Sequence, residues 1–348
     1  MTDYRRNIAE DKLSSWRCPG AAHQSNADSL VDKIFSGAAR RRLRLAASAV
    51  AGINRRLEWH YDRWLLAHRF QYQFGRKLDL RAPRTFNEKV CYKRLYDRRP
   101  LLTMVADRVR VREYIAGRVG TDYLTRIYQI CLSPLEIDYE RLPSQFVVKA
   151  SHGTGMIQIV RDKAALKIDE VTPQFQHWLG RNLYAEEREW CYRDIPPRLV
   201  IEELLLDERG MIPADWKFYV FSGKAAYVDV HFGRYSNDQR NMYDRALNRV
   251  NVRWLYPNLP TDPAFPHNIE AMFEVAERLA VGFDFLRVDL YNIAGRIVVG
   301  ELTNYPYGGM APFDPPEFDQ VLGAMWSVPR RYDGEAAPPI DWMHGARR

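Results

Sequence analysis

Cysteine is scarce in this 348-residue chain, and its four copies stand far apart. Cys18, Cys91, Cys131 and Cys191 offer no Cys-x-x-Cys ligand pair and no dense disulfide framework, which fits a reducing compartment. No apolar run reaches the roughly 18 residues that a spanning helix needs, so the sequence predicts none. Met1 to Lys12 is polar and carries no hydrophobic signal core, which makes the cytoplasm the expected location. No Gly-Lys-Ser/Thr enters a helix, as a Walker A loop requires. There is no His-Glu-x-x-His, no Ser-His-Asp or catalytic cysteine arrangement, and no Asp-x-Asp. Internal repeats and low-complexity tracts are also missing.

What remains is an ordinary globular composition, 46% hydrophobic and 27% charged. The length suggests two domains, or one large domain with an extension. The net charge of +7 points to anionic partners, and most of it lies early, in Arg40-Arg41-Arg42-Leu43-Arg44 and Arg55-Arg56. Residues 1–28 read as a flexible N-terminus with Pro19-Gly20 punctuation. Residues 29–80 read as a basic helical extension; Leu43, Ala46, Ala47, Val50 and Ile53 keep helical spacing. Such a helix suits either an anionic membrane surface or packing on the rest of the chain.

Beyond this the order of elements becomes informative. Thr85 followed by Glu88 predicts a capping box and a helix to Asp97. A second helix is expected from Met104 to Val119. Tyr123–Leu132 and Phe146–Ala150 read as strands, and Ser151-His152-Gly153-Thr154-Gly155 joins the latter to a strand over Ile157–Val160. Residues 162–184 read as helix interrupted at Pro173. Arg198–Leu205 is a strand turning acidic at Glu202-Glu203. Ala214–Ser222 alternates, with Asp215, Lys217, Tyr219 and Phe221 on one face and Trp216, Phe218 and Val220 on the other. Ile269–Val281 is an amphipathic helix, Phe313–Met325 a last helix, and the tail from Arg330 is loose.

Between those helices, Leu286–Asn304 reads as a β-hairpin about an Asn-Ile-Ala-Gly turn. Asp289 sits on one arm, Glu301 on the other, and Arg287 shares a side with Asp289. Two carboxylates on one face suit Mg²⁺, which takes one or two carboxylates and leaves the rest to phosphates and water. A two-residue Ala294-Gly295 turn puts Asp289 and Glu301 on opposite faces, whereas an odd loop or a bulge reunites them. Ordinary surface acids are the alternative.

Each upstream piece has two readings as well. Lys149, ending a strand before a Gly-rich loop, suits a phosphate; it also suits a solvated hairpin lysine. Glu202-Glu203 suits an adenine edge or a solvated strand end. Asp215 and Lys217 suit a site or a surface ion pair. His152 is read as a structural or phosphate-directed hydrogen-bond donor.

Taken in order, these pieces resemble the ATP-grasp superfamily. They most resemble its TupA-like branch, linked to cell-surface (teichuronic acid type) polysaccharide biosynthesis. The resemblance rests on Thr85-Phe86-Asn87-Glu88-Lys89, Ala106–Tyr114, Phe146–Gly155, Glu202-Glu203, Asp215-Trp216-Lys217-Phe218, Arg287-Val288-Asp289 and Gly300-Glu301-Leu302-Thr303. It covers Pro83 to Trp326. It implies an α+β ATP-grasp fold, two lobes gripping a nucleotide, over residues 81–329. The phosphate-loop lobe would be about 121–205, the metal-binding lobe about 206–329, and 330–348 the tail.

By that likeness Lys149 and the loop Ser151, His152, Gly153, Thr154 and Gly155 hold the ATP phosphates. Glu202 sits by the adenine amine, with Glu203 and the following backbone completing the edge. Asp215 is a ribose- or hinge-side acid, and Lys217 reaches the transferring phosphate or the substrate. Asp289 and Glu301 hold Mg²⁺, and Arg287 stabilises the charge that builds on the acyl phosphate and tetrahedral intermediate. The family usually has lysine where Arg108 stands, and Asn two residues after the metal Glu. Here that position is Thr303, with Asn304 one further, and which of them completes the metal shell stays open.

The implied activity is an ATP- and Mg-dependent carboxylate–amine ligase of the cell-envelope polysaccharide pathway. Its substrates would be a uronic-acid glycan or an amino acid. A nucleotide-sugar glycosyltransferase is the alternative. Peripheral contact with an anionic membrane stays one of the two readings of the basic helix, and binding of nucleic acid is not expected.

Overall fold

A computed structural model describes residues 57–233 and 238–332. The chain divides into a unit of residues 1–61 and a unit of residues 62–348, and every strand and labelled helix below belongs to the second. The expected flexible segment 1–28, the Leu43–Ile53 face and the tail beyond residue 332 lie outside the described residues. Residues 57–74 are helical.

The first labelled helix, α1 (Phe86–Tyr96), begins at the expected capping box. The Thr85 hydroxyl accepts from the Glu88 N–H (3.3 Å), and Glu88 Oε2 accepts from the Thr85 N–H (3.1 Å). The single helix expected over Met104–Val119 is instead two, α2 (Pro100–Ala106) and α3 (Val111–Arg118). Asp107 breaks it. Its backbone is extended, its carboxylate accepts from the Val109 N–H (2.9 Å), and Arg198 pairs with it at 3.0 Å. An Asp side chain that bonds local backbone competes with the helix ladder.

Four antiparallel strands make the smaller sheet: β1 (Ile127–Cys131), β2 (Phe146–Ala150), β3 (Ile157–Val160) and β4 (Leu199–Glu202), in the order β1-β4-β2-β3. Phe146, Val148, Leu199 and Ile201 share a core with Phe175 and Trp178 of α4 (Ile168–Leu179). That helix runs through Pro173 where an interruption was expected. A proline inside a helix costs one backbone hydrogen bond and a clash. Packing of Val171, Phe175 and Trp178 on the sheet outweighs that cost here.

The larger sheet adds β5 (Asp215–Phe221), β6 (Lys224–Phe232), β7 (Gln239–Asp244), β8 (Arg249–Val250), a short β9 (Arg253–Trp254), β10 (Phe285–Ile293) and β11 (Arg296–Thr303). Six of these form one antiparallel sheet, in the order β11-β10-β5-β6-β7-β8. β9 pairs instead with β12 (Phe313–Asp314). The last helix, α6 (Phe318–Ala324), starts five residues later than expected, because Phe313 pairs with Trp254 and Pro315-Pro316 delays helix entry.

Strand β5 is buried on both sides. Trp216, Phe218 and Val220 face the amphipathic α5 (Ile269–Leu279); the rings of Phe218 and Phe273 stand 4.9 Å apart, edge to face. On the opposite face Tyr219, Phe221 and Phe285 gather round Phe86, which also meets Trp254, Phe313 and Trp326. Farther along that face the character changes. Asp215, Lys217, Arg287 and Asp289 are all nearly inaccessible to solvent. Buried charges are tolerated only when paired, and the site begins there.

Candidate active site

The β10–β11 hairpin turns on Ala294 and Gly295, both at positive φ (50° and 93°), with Ile293 paired to Arg296. An even register from this two-residue turn would set Asp289 opposite Gly300 and send Glu301 to the other face. The ladder instead slips between Asp289 and Leu290: Leu290 pairs with Val299 and Asp289 pairs with Glu301. One extra residue, a β-bulge, brings both carboxylates to one face. Gly300 is that extra residue. A Cβ there would lie 2.8 Å from the Tyr291 ring and 3.4 Å from the Asp289 carbonyl oxygen.

Asp289 is held by two cations. Arg287 grips it as a fork, Nε to Oδ1 at 2.7 Å and Nη2 to Oδ2 at 2.7 Å. Lys217 Nζ reaches Oδ2 at 2.6 Å and Asp215 Oδ2 at 2.6 Å. The register explains this, since Lys217 of β5 pairs directly with Asp289 on one side and with Asp229 of β6 on the other. Burial opposes the charged form of Asp289, but Arg287 and Lys217 hold its pKa far below the ordinary carboxylate value. Burial likewise opposes the Arg287 cation, and Asp289 more than restores it.

Thr303 carries the chain of contacts to Glu301. Its hydroxyl accepts from Arg287 Nη2 (2.9 Å) and donates to Glu301 Oε1 (2.9 Å). Asn304 turns away: its Nδ2 donates to the Leu102 carbonyl at 3.0 Å, and it is buried. Of the two, Thr303 therefore shares the carboxylate face.

A cleft opens between the two sheets. Lys149 and Glu202 line it from the smaller sheet, Tyr291, Gly300 and Glu301 from the larger, and Arg108 and Glu203 also border it. Lys149 and Glu202 are a salt-bridged pair, and Thr125 donates to Glu202 Oε2 at 2.8 Å. Burial works against the Glu202 carboxylate, yet Lys149, Thr125 and Arg108 together lower its pKa. Glu203 pairs with Arg296 at 3.0 Å, and its N–H donates to the Arg126 carbonyl at 2.9 Å.

The loop after Lys149 divides in two. Ser151 is sealed at its base, where its hydroxyl donates to the Pro196 carbonyl (3.0 Å) and accepts from the Arg198 N–H (3.1 Å). His152 is also turned inward, its Nε2 3.0 Å from the Trp178 carbonyl. Arg108 Nη1 bonds the carbonyls of Ala150 and Gly153. Thr154 and Gly155, the latter at φ +73°, form an exposed tip. The Thr154-Gly155 tip is thus the part of this loop open to a ligand.

Several site neighbours went unread in the sequence. Asp229 pairs with Arg240, and His231 lies between Asp229 (3.1 Å) and Asp238 (3.0 Å). Alternation on β6 carried that signal, since Asp229 and His231 are two residues apart. Tyr192 gave none: its phenol is pushed well above its ordinary value by burial, and its charged neighbours include Glu301, Glu189 and Arg108.

Asp289 and Glu301 fit a hard divalent cation in part: two oxygen donors on one face, with an open cleft beside Glu301 for phosphate oxygens. Among the described residues no cluster of three or more His, Cys, Asp or Glu side chains could hold a metal. Any ion here must bring ligands with it, which is how Mg²⁺ binds a nucleotide.

The chain matches the family model described as TupA-like ATPgrasp over residues 88–327. It belongs to the TupA-like ATP-grasp family. The α+β architecture just described is the ATP-grasp fold of that family. No curated protein matches the chain. Among solved structures, a D-alanine–D-alanine ligase from Bacillus anthracis complexed with ATP is 14% identical. It covers 59% of this chain and 56% of its own, with a TM-score of 0.35. A RimK domain protein ATP-grasp from Sphaerobacter thermophilus is 12% identical over 70% of each chain, with a TM-score of 0.39. A phosphoribosylamine–glycine ligase from Thermotoga maritima is 12% identical over 60% of this chain and 50% of its own, with a TM-score of 0.37. The chain thus spans little more than half of the first of these proteins. Among the described residues of this TupA-like ATP-grasp chain, no helix is long and apolar enough to cross a membrane.

Proposed function

We propose that this chain is a Mg·ATP-dependent carboxylate–amine ligase of cell-surface polysaccharide assembly. The carrying observation is that Lys149 and Glu202 line the same cleft as Glu301, whose strand partner is Asp289. One wall supplies a cation for phosphates and an acid for the adenine amine, and the other supplies oxygen donors for the accompanying metal. Membership of the TupA-like family supports the reading.

In this reading Lys149 and the backbone at Thr154-Gly155 bind phosphate oxygens. Arg108 acts through the loop, fixing the Ala150 and Gly153 carbonyls, and completes the positive border of the cleft. Glu202 accepts from the adenine amine, with Glu203 on the same strand end. Asp215 holds Lys217, and Lys217 turns toward the transferring phosphate. Asp289 and Glu301 would hold Mg²⁺, which would supply charge neutralisation for the phosphates. The phosphoryl group passes from ATP to a carboxylate oxygen of the substrate. An amine then attacks the acyl carbon and phosphate leaves, giving an amide. Arg287 stabilises the oxyanion of that step. The protein's work is positioning and electrostatics, as in phosphoryl transfers generally.

The test is a binding screen of ATP against UDP-sugars, each with and without Mg²⁺, followed by ADP release with uronic acids and amino acids as candidate substrates. ATP binding that needs Mg²⁺ and is lost in Asp289→Ala and Glu301→Ala supports the ligase. Preference for a UDP-sugar, or turnover untouched by both substitutions, sinks it.

A further inference from the structure

Residues 62–74 are helical, and their two faces meet different surroundings. Asp62, Leu66 and Phe70, spaced by four, are buried. Leu66 and Phe70 share a core with Leu80, Cys91, Tyr92 and Leu95. Asp62 pairs with Arg188 and accepts from the Tyr184 hydroxyl at 2.9 Å, and Arg69 pairs with Glu187 at 3.0 Å. These contacts fix the segment from one side. Trp64, His68 and Tyr72, also spaced by four, lie on the other side and are exposed. The rings of Trp64 and His68 stack with their centres 5.3 Å apart. Trp64 is 57% exposed and Tyr72 is 91% exposed; among the described residues no large hydrophobic side chain is more exposed than Tyr72. One exposed ring is ordinary, but three in a row about 12 Å long form a patch of the kind that meets a partner. The Leu43–Ile53 spacing read from the sequence is a different face. This one is defined by the burial of Leu66 and Phe70 opposite it.

Charge selects the partner. Residues 40–77 carry ten Lys and Arg against two Asp and Glu, whereas residues 81–348 carry equal numbers of each. Arg63 precedes the aromatic row and Lys77 follows it, and both are exposed. A second copy of the chain docking through this face would bring like charges together, so an anionic partner is favoured. We propose that the Trp64-His68-Tyr72 face seats on an anionic phospholipid surface. Trp and Tyr join an apolar body to a polar tip, which suits the headgroup layer. Each Lys or Arg near an anionic leaflet adds to the attraction. Stable seating takes both signals, inserted apolar area and basic charge, and residues 40–77 supply both. None of the three ring residues lines the cleft between the sheets, so membrane seating is independent of the ligase reading.

The experiment is flotation of the full chain with vesicles of phosphatidylcholine alone, and of phosphatidylcholine mixed with phosphatidylglycerol, in low and in high salt. The wild type floats with the anionic vesicles and not with the neutral ones, and less in high salt, where surface charge is screened. The double substitution Trp64→Ala, Tyr72→Ala lowers the partition by about tenfold or more, the equivalent of burying one large apolar side chain. Tyr72→Ser alone, at the most open of these positions, lowers it in the same direction and decides the matter if the double variant does not fold. No flotation of the wild type with anionic vesicles overturns the proposal. So does equal flotation with both lipids, or flotation that both variants leave intact, which would assign it to basic residues elsewhere. A wild type that sediments as a dimer beside a monomeric Tyr72→Ser would give the face to a second copy and overturn it as well.

Discussion

Asp289 and Glu301 stand opposite each other across a ladder that has slipped by one residue. The slip, at Gly300, decides which face of the hairpin carries Glu301. Gly300→Ala forces a Cβ to within 2.8 Å of the Tyr291 ring. The expected loss is about 1–3 kcal/mol of stability, in the range of other overpacking substitutions. Thermal unfolding measures it. Deleting Gly300 restores the even register and turns Glu301 to the other face, so Mg²⁺-dependent nucleotide affinity is lost. If affinity survives the deletion, Glu301 holds no metal.

Lys217 neutralises two buried acids at once. Lys217→Met leaves Asp215 and Asp289 short of a shared cation, and removing one partner of a buried ion pair costs about 3–5 kcal/mol. Denaturant titration should find that loss. Saturating Mg·ATP should recover part of it, because a cation at Asp289 replaces the missing charge. No recovery would mean that the metal does not reach Asp289.

Lys149 pairs with Glu202 in the cleft between the sheets. Lys149→Met removes a phosphate cation and leaves Glu202 with Thr125, so ATP affinity falls by about tenfold or more. Equilibrium binding checks it. Unchanged affinity would remove Lys149 from the phosphate site.

Glu189 gives a pH signature with a definite sign. Burial raises its carboxyl to about 7 from 4.5, with Arg94 opposing the rise and Glu187 and Glu301 adding to it. An acid whose folded pKa lies above its unfolded one binds more protons when folded. Its cost to stability is therefore absent below about pH 4.5 and complete above about pH 7. Glu189→Gln should raise the unfolding midpoint at pH 8 and leave it nearly unchanged at pH 5. Partial exposure limits the gain at pH 8 to about 2 kcal/mol. A midpoint that shifts equally at both pH values would refute the assignment.

Much of the architecture was legible because local chemistry and tertiary need agreed. Thr85 and Glu88 announced a helix start, and alternation on 215–221 placed Lys217 with Asp215. The Asn-Ile-Ala-Gly turn could be read too, and with it the need for an odd-length loop or a bulge, though not which of the two or its place at Gly300. Other features needed the third dimension. Pro173 argued for a break that packing of Phe175 and Trp178 overrides. Asp107 broke a helix that the apolar spacing continued, because Arg198 lies 91 positions away. His152 read as part of a phosphate loop, yet the carbonyl that holds it belongs to Trp178. Thr303 and Asn304 could be told apart only by the direction each side chain takes.

Arg108 ties down the carbonyls of Ala150 and Gly153, while Ser151 and His152 are buried beneath them. That leaves the loop a very short lever. Within the loop, the part left free to meet a ligand is Thr154 and Gly155.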